Sequence, residues 1–372
     1  MRILDTTLRE GEQRFGVYFP PEIRKQIALH LRDIGIDELE IGVTKPDEEL
    51  EWLWSNLMNQ GLSGRLSLWC RLKKEDIDIA RKFNGIRLNL STPVSDIQLE
   101  RRLRISKEQL LCRVEELTTY AAQRFEFVSL GLEDASRADE DYLFQVARTA
   151  LDAGARRIRL SDTLGFWQPL DLIRVVNRFR KGYSHGEISL HLHNDFGLAM
   201  GNAVTAIDAG AQWMDASVLG LGERAGIPPL EELVAFLHFR KGCQQYRIDL
   251  IPEITNLVAR YSGDSWSSFK PVTGKFLFYC ESGLHVEGLY KDPNLYEPFP
   301  PEKLGLSRRL AIGGKSGLAS VRAKLQELGR NMDGSMIRSL TSTLREHSRS
   351  CKRPLTDGEV AEIVQQFVEE EQ

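Results

Sequence analysis

The sequence predicts an α/β fold: a TIM (β/α)8 barrel followed by a smaller C-terminal α-rich subdomain. Eight short apolar or alternating runs recur along the first two thirds of the chain, with helical patterns between them. Eight βα units in about 240 residues match the count and size of such a barrel. A doubly wound open sheet is the alternative, but it would carry a phosphate-binding glycine fingerprint after its first strand, and none follows here.

Strands are expected at 3–6, 36–41, 66–71, 86–90, 125–130, 157–160, 188–193 and 213–219. Helices are expected between them, among them 21–35, 105–123, 139–154 and 197–210. Several end at glycine, which accepts the left-handed conformation that closes a helix. Residues 228–242 supply the eighth barrel helix and 250–261 an extra one, so the barrel domain is expected to span 1–262. Residues 263–274, rich in Ser, Gly and Lys, read as a boundary. A stretch rich in Pro and Gly follows at 276–317, then helices at 319–328, 335–348 and 357–370. The second domain is therefore expected at 263–372, a linker and a helical subdomain.

Bulk properties exclude several function classes. A chain of 372 residues with 42% hydrophobic and 27% charged residues can bury a large core and has an ordinary globular composition. A net charge of −4 favours neither nucleic acid nor an anionic membrane. The opening MRILDTTLREGEQ lacks the apolar run of a signal peptide, and no segment is apolar enough to span a bilayer. The five cysteines are odd in number and form no CxxC pair, which points to a reducing, cytoplasmic setting without a structural zinc cluster.

Chemistry in a TIM barrel sits at the carboxyl ends of the strands. The most informative stretch is HLHND, residues 191–195. Strand alternation puts His191 and His193 on one face. Two imidazoles at that spacing suit a divalent metal, or they line a polar barrel interior without one. Counting inward positions adds Asp5, Arg9, Glu10 and Gln13 after strand one, Glu40 on strand two and Arg71 on strand three. It adds Asn89 and Ser91 on strand four, Glu133 after strand five, and Arg159, Ser161 and Thr163 on strand six. Such charge would be ruinous in an ordinary core but suits a polar ligand with a metal. Glu10 is the best-placed carboxylate to join the histidines. The alternative, a surface salt-bridge network with Arg9, fits poorly with a turn on the catalytic face.

Six motifs carry a family resemblance: DTTLREGEQ (5–13), ELEIG (38–42), LEDASRA (132–138), SDTLG (161–165), HLHND (191–195) and LGLGERAG (219–226). In this order they resemble the metal-dependent acyl-CoA Claisen enzymes, the DRE-TIM metallolyases that include the isopropylmalate, citramalate and homocitrate synthases. WCRL (69–72), GLEDASRA (131–138), ESGLHVEGLYKDPNLYE (281–297) and CKRPLTDGE (351–359) look most like homocitrate synthase of the nitrogen-fixation type.

The resemblance implies that Glu10, His191 and His193 hold a divalent ion (Mg, Mn, Fe, Co or Zn), to which a 2-oxo acid adds two oxygens. It implies that Arg9 stabilises developing oxyanion charge. Gln13, Asn89, Ser91 and Thr163 would position the oxo acid, and Glu133 would be the acid/base near the acetyl-CoA methyl. His285 and Tyr296 would reach over the partner's barrel in a homodimer with shared active sites.

Three positions depart from common family patterns. Ile227 stands where many relatives have asparagine, Glu10 gives LREG where many have LRDG, and Lys315 stands where LGKHSG has histidine. Lysine-pathway homocitrate synthases share the first two.

The expected reaction condenses acetyl-CoA with 2-oxoglutarate, a 2-oxo dicarboxylic acid, to give homocitrate and CoA. The far carboxylate of that substrate needs a cation, and Arg71 and Arg159 have inward parity. An internal Arg159–Glu40 ion pair is the competing reading. Related synthases would take 2-oxoisovalerate, pyruvate or oxaloacetate. An acyl-CoA lyase would carry a cysteine-bearing glycine loop, absent here. A non-catalytic metabolite-binding barrel would not need Arg9, Glu10, His191, His193 and Glu133 together.

Overall fold

The computed structural model describes residues 1–183, 186–263 and 266–370. The chain divides into two compact units, Met1–Ser265 and Trp266–Gln372. Residues 264 and 265 of the expected boundary segment lie outside the described residues.

The first unit is a closed barrel of eight parallel strands in sequential order. They are β1 Arg2–Asp5, β2 Glu38–Val43, β3 Leu66–Arg71, β4 Arg87–Pro93, β5 Val128–Glu133, β6 Arg157–Asp162, β7 Glu187–Leu192 and β8 Trp213–Ala216. Strand β1 pairs with both β2 and β8 and so closes the ring. The outward face of each strand is apolar and lies under the helices, as Leu88, Leu90, Leu130, Leu160 and Leu190 do, all at most 1% exposed. The helix Pro21–Ile34 shows the local logic. Proline sits in its first turn, Ile23, Ile27, Leu31 and Ile34 turn one stripe to the barrel, and Gly35 ends it at φ 98°. The helix Lys107–Ala122 starts from a capping box between Ser106 and Gln109.

The strands differ from expectation mostly at their carboxyl ends. Strand β5 runs three residues beyond the expected 130, β4 three beyond 90 and β6 two beyond 160. The added residues, such as Ser91, Thr92, Ser161 and Asp162, are polar. Apolar pattern fades at the barrel mouth while the backbone ladder continues, for example Pro93 opposite Glu133. At the other end, β5 begins at Val128 because residues 124–127 form the exit from the preceding helix. Strand β8 stops at Ala216, and the chain turns at Leu219, whose φ is 61°.

The second unit is α-rich. Helices Leu318–Glu327, Gly334–Cys351 and Asp357–Glu370 bury Val321, Ile337, Leu340, Leu344, Val360, Val364 and Phe367 in one core. The Pro/Gly-rich stretch expected to be a linker carries structure of its own. A helix spans Gly283–Lys291, and Tyr279–Cys280 pairs in parallel with Arg309–Leu310. These elements are too short for a periodic signal. Among the described residues, no helix is long and apolar enough to cross a membrane.

Candidate active site

The first turn after β1 aims Glu10 into the barrel. The backbone N–H groups of Arg9, Glu10 and Gly11 all donate to the carbonyl of Thr6, at 3.0, 2.8 and 3.1 Å. That tight curl returns the Glu10 carboxylate over the barrel axis. Its Oε1 accepts from the backbone N–H of Glu223 at 3.0 Å. Gly222 makes this approach possible, since a Cβ there would lie 3.1 Å from Cγ of Glu10. Gly226, at φ 82°, is still more constrained: a Cβ would sit 1.8 Å from the carbonyl oxygen of Gly220. These two positions explain two of the glycines in LGLGERAG.

His191 lies on β7 opposite Ser161 of β6, and His193 follows one residue past the strand end. Their Nε2 atoms are 3.3 Å apart. Nε2 of His191 lies 3.8 Å from Oε2 of Glu10, and Nε2 of His193 lies 3.9 Å from Oε1. Two nitrogens bound to one cation at about 2.1 Å are about 3.0–3.4 Å apart for right-angle to tetrahedral geometry. The three buried groups therefore fit a divalent ion, and they form a compact metal-competent cluster. Ile227, 1% exposed, adds no donor.

Electrostatics favour the ligating forms. Burial alone would raise the Glu10 carboxyl, but Arg9, His191 and His193 outweigh it and hold it at about 2. Burial, reinforced by Arg159, pushes His191 well below the ordinary imidazole range. Burial also lowers His193. Neutral imidazole and ionised carboxylate are the metal-binding species. Nδ1 of His191 lies 2.9 Å from Oδ2 of Asp215 on β8. A carboxylate there orients the ring and leaves the Nε2 lone pair facing Glu10.

Below the cluster runs a column of ion pairs. Nε of Arg9 donates to Oε2 of Glu40 at 2.6 Å, and Nη1 of Arg9 reaches Glu10 and Gln13. Glu40 also accepts from Arg159 at 2.8 Å and from Asn89 at 2.9 Å. Arg159 pairs in addition with Asp215. One layer lower, Glu38 accepts from Arg157 at 2.8 Å and from Arg87 at 2.9 Å.

A cleft of about 330 Å³ opens above the cluster. It brings together ten of the expected residues: Arg9, Glu10, Gln13, Ser91, Glu133, Arg159, Ser161, Thr163, His191 and His193. Glu133 is bridged by the hydroxyl of Ser91 at 2.8 Å and by Nη1 of Arg102 at 2.8 Å. Thr163 accepts from the backbone N–H of Asp134 at 2.9 Å, which ties β5 to β6 beside Glu133.

Other expected residues lie elsewhere. Glu40 and Asn89 sit beneath the cleft as members of the ion-pair column rather than as its lining. Arg71 keeps its inward parity, but Asp76 holds its guanidinium with two bonds, at 2.7 and 2.9 Å, and its side chain is 53% exposed. It lines a neighbouring cavity that shares Ser91, Arg102 and Glu133 with the cleft. Arg71, expected to meet the far carboxylate of the oxo acid, thus lines this neighbouring cavity and not the metal cleft. Asp5 is turned back onto the backbone N–H and hydroxyl of Thr7, both at 2.9 Å, and caps its own turn.

In the second unit, the His285 and Tyr296 rings lie with centroids 4.4 Å apart. Lys315 is exposed, and its backbone N–H donates to Glu281 at 2.8 Å. Sequence reasoning missed Trp69, Arg102, Asp215 and Glu223. Inward parity marks Trp69 and Asp215. Arg102 and Glu223 come from loops, where no parity exists.

Comparisons with known proteins give the family of the chain. The HMGL-like family matches residues 1–258, and the homocitrate synthase post-HMGL domain-like family matches residues 272–352. The chain is 36% identical to 2-isopropylmalate synthase 2 of Caldanaerobacter subterraneus subsp. tengcongensis over 373 residues, covering 98% of this chain and 95% of that one. It is 35% identical to homocitrate synthase 1 of Nostoc sp. over 370 residues, covering 98% and 97%. Hydroxymethylglutaryl-CoA lyase from Pseudomonas aeruginosa shares the fold, with a TM-score of 0.62 at 16% identity over 71% of this chain and 93% of that one. A closed barrel with a Glu–His–His cluster at its mouth, followed by the matching second domain, places the chain in the HMGL-like family, among the acyl-CoA condensing enzymes of the isopropylmalate and homocitrate synthase group.

Proposed function

We propose that the protein is a homocitrate synthase, condensing acetyl-CoA with 2-oxoglutarate and hydrolysing the thioester to homocitrate and CoA. One observation carries the choice of substrate. Trp69 is the one apolar side chain among the described residues lining the metal cleft. A pocket for 2-oxoisovalerate would offer its branched tail an apolar wall. This cleft offers Arg102, Gln13, Ser91 and Ser161 instead, which suit a second carboxylate.

A divalent ion held by Glu10, His191 and His193 would supply Lewis-acid polarisation of the 2-oxo group. The protein's own groups do the rest. Arg9 is fixed through Nε and Nη1, and among the described residues nothing accepts from its Nη2, so those donors are left for oxygen charge developing in the transition state. Glu133 takes a proton from the acetyl-CoA methyl, held for this by Ser91 and Arg102. The new carbon–carbon bond joins that methyl carbon to the 2-oxo carbon. Water then cleaves the thioester and releases CoA. Thr163 and Ser161 hold the oxo acid against the floor of Arg159. Homodimers with shared sites, in which His285 and Tyr296 serve the partner's barrel, complete the reading.

Arg71 is held by Asp76 through two bonds, whereas Arg102 meets Glu133 through Nη1 alone, and its remaining donors take the far carboxylate. Arg102→Leu should raise the KM for 2-oxoglutarate steeply, because stranding a charge near an unpaired site costs about 2–5 kcal/mol. For 2-oxobutyrate, which has no second carboxylate, kcat should fall with the lost Glu133 contact while KM stays close to wild type. An equal rise in KM for both acids would remove Arg102 from substrate selection.

A further inference from the structure

A second cleft, of about 320 Å³, lies at the opposite end of the barrel from the metal cluster. It is formed by the approaches to the amino ends of β4, β5 and β6. Four arginines line it, Arg81, Arg87, Arg124 and Arg156, against a single carboxylate, Glu126. Phe83, Phe125 and Phe127 form its apolar wall.

The charge in this cleft is poorly neutralised. Arg87 is paired, at 2.9 Å from Glu38, but Glu38 is already shared with Arg157. Arg81 lies 3.9 Å from Asp78, which is bound more closely by Lys74 at 2.7 Å. Arg124 hydrogen-bonds the carbonyl of Tyr120 and the side-chain oxygen of Gln123, with its guanidinium 3.5 Å from the Tyr120 ring centroid. Neither partner is a carboxylate. Arg156 makes no side-chain hydrogen bond or ion pair among the described residues. Like charges converging on a concave, partly apolar surface repel one another and focus a positive potential. The end of a barrel away from its chemistry ordinarily serves stability. This arrangement does the reverse at Arg124 and Arg156, neither of which is in a salt bridge among the described residues.

We propose that this cleft is a second binding site, for a compact anion of two or more charges such as an organic phosphate. The anion would lie between Arg124 and Arg156, with Arg81 at the rim, and the phenylalanine wall would cover an apolar or ring portion of the ligand. Arginine forks match phosphate oxygens two at a time. The volume suits a nucleoside monophosphate rather than a bare oxyanion. The site is independent of the metal cleft and of the reaction proposed for it.

The test uses the metal-loaded, full-length protein and titration calorimetry with AMP, then with sulfate, at constant ionic strength. The comparison is the double variant Arg124→Ser, Arg156→Ser. Both side chains are exposed and far from the metal, so turnover should match wild type, and the unfolding temperature should be no lower, since repulsion is relieved. The expected result is saturable AMP binding at one site per chain, weakened at least tenfold in the double variant. Sulfate binding that competes with AMP and is lost in the same variant would also support the site. AMP binding that survives in the double variant belongs to the acyl-CoA site and overturns the proposal. Failure of both anions to saturate by 10 mM (on the order of a phosphate-ester subsite's weakest useful affinity) overturns it too.

Discussion

Asp215 is not one of the candidate metal ligands, but it contacts one of them. It lies 2.9 Å from Nδ1 of His191 and pairs with Arg159, so it fixes both the ring and the cation behind the ring. Burial pushes its carboxyl above the ordinary range despite Arg159. Replacing such an outer partner typically lowers metal affinity 10–100-fold. Asp215→Asn should therefore weaken divalent-ion binding by about that factor, measured by competition with a chromophoric chelator, while His191→Ala abolishes it. Unchanged affinity in Asp215→Asn would assign Asp215 to the ion-pair column alone. The histidines and Glu10 were legible in the sequence because their types are rare in an apolar context. Asp215 was legible in principle, by its inward parity in WMDA, but an isolated aspartate after a tryptophan carries no chemical signal of its own. Arg71 shows the converse. Its parity was read correctly, yet parity says nothing about Asp76, five residues on, which captures the guanidinium.

At the scale of the strands, register stacks charged residues in layers. Leu4 of β1 stands beside both Glu38 of β2 and Asp215 of β8, while Asn89, Ser129 and Arg157 stand side by side on β4, β5 and β6. Glu38 is fully buried, and burial by itself would raise its carboxyl. Arg157 and Arg87 more than offset that and hold it at about 2, against an ordinary 4.5. A depressed folded-state value means stability that is fully present above pH 4.5 and lost as pH falls toward 2. Acid denaturation followed by circular dichroism should show this slope in the wild type, and Glu38→Gln should flatten it. That variant should also lose about 3–5 kcal/mol at neutral pH, because Arg157 stays buried without its partner. An unaltered acid profile would show that Glu38 contributes no such linkage. Strand existence and order were legible from the eight apolar runs. Strand ends were not, because the mouth of the barrel replaces apolar residues with polar ones before hydrogen bonding stops, as at Ser161 and Asp162.

The whole molecule joins a barrel that carries the chemistry to a second unit that carries His285 and Tyr296. Their rings pack at an interplanar angle of 36°, with Gly288 giving room, since a Cβ there would lie 2.3 Å from the Tyr296 ring. If these residues serve a neighbouring barrel, two defective chains can repair each other. Mixed Arg9→Ala and His285→Ala chains, each inactive alone, should recover part of the activity through hybrid dimers. No recovery after verified subunit exchange would contradict sharing. The helical tail was legible from its 3.6-residue periodicity, whereas the short helix and two-residue strands between 279 and 310 were hidden by their length and by proline and glycine. A barrel that joins acetyl-CoA to a 2-oxo dicarboxylic acid under metal control must discriminate among 2-oxo acids and fail without its ion. The direct measurement is CoA release by the metal-loaded protein with 2-oxoglutarate, oxaloacetate, pyruvate and 2-oxoisovalerate in parallel, with and without chelator. The expected result is the highest kcat/KM for 2-oxoglutarate, homocitrate and CoA in equal amounts, and loss of turnover on chelation that added divalent ion restores. A preference for 2-oxoisovalerate or pyruvate, or full turnover in excess chelator, would contradict it.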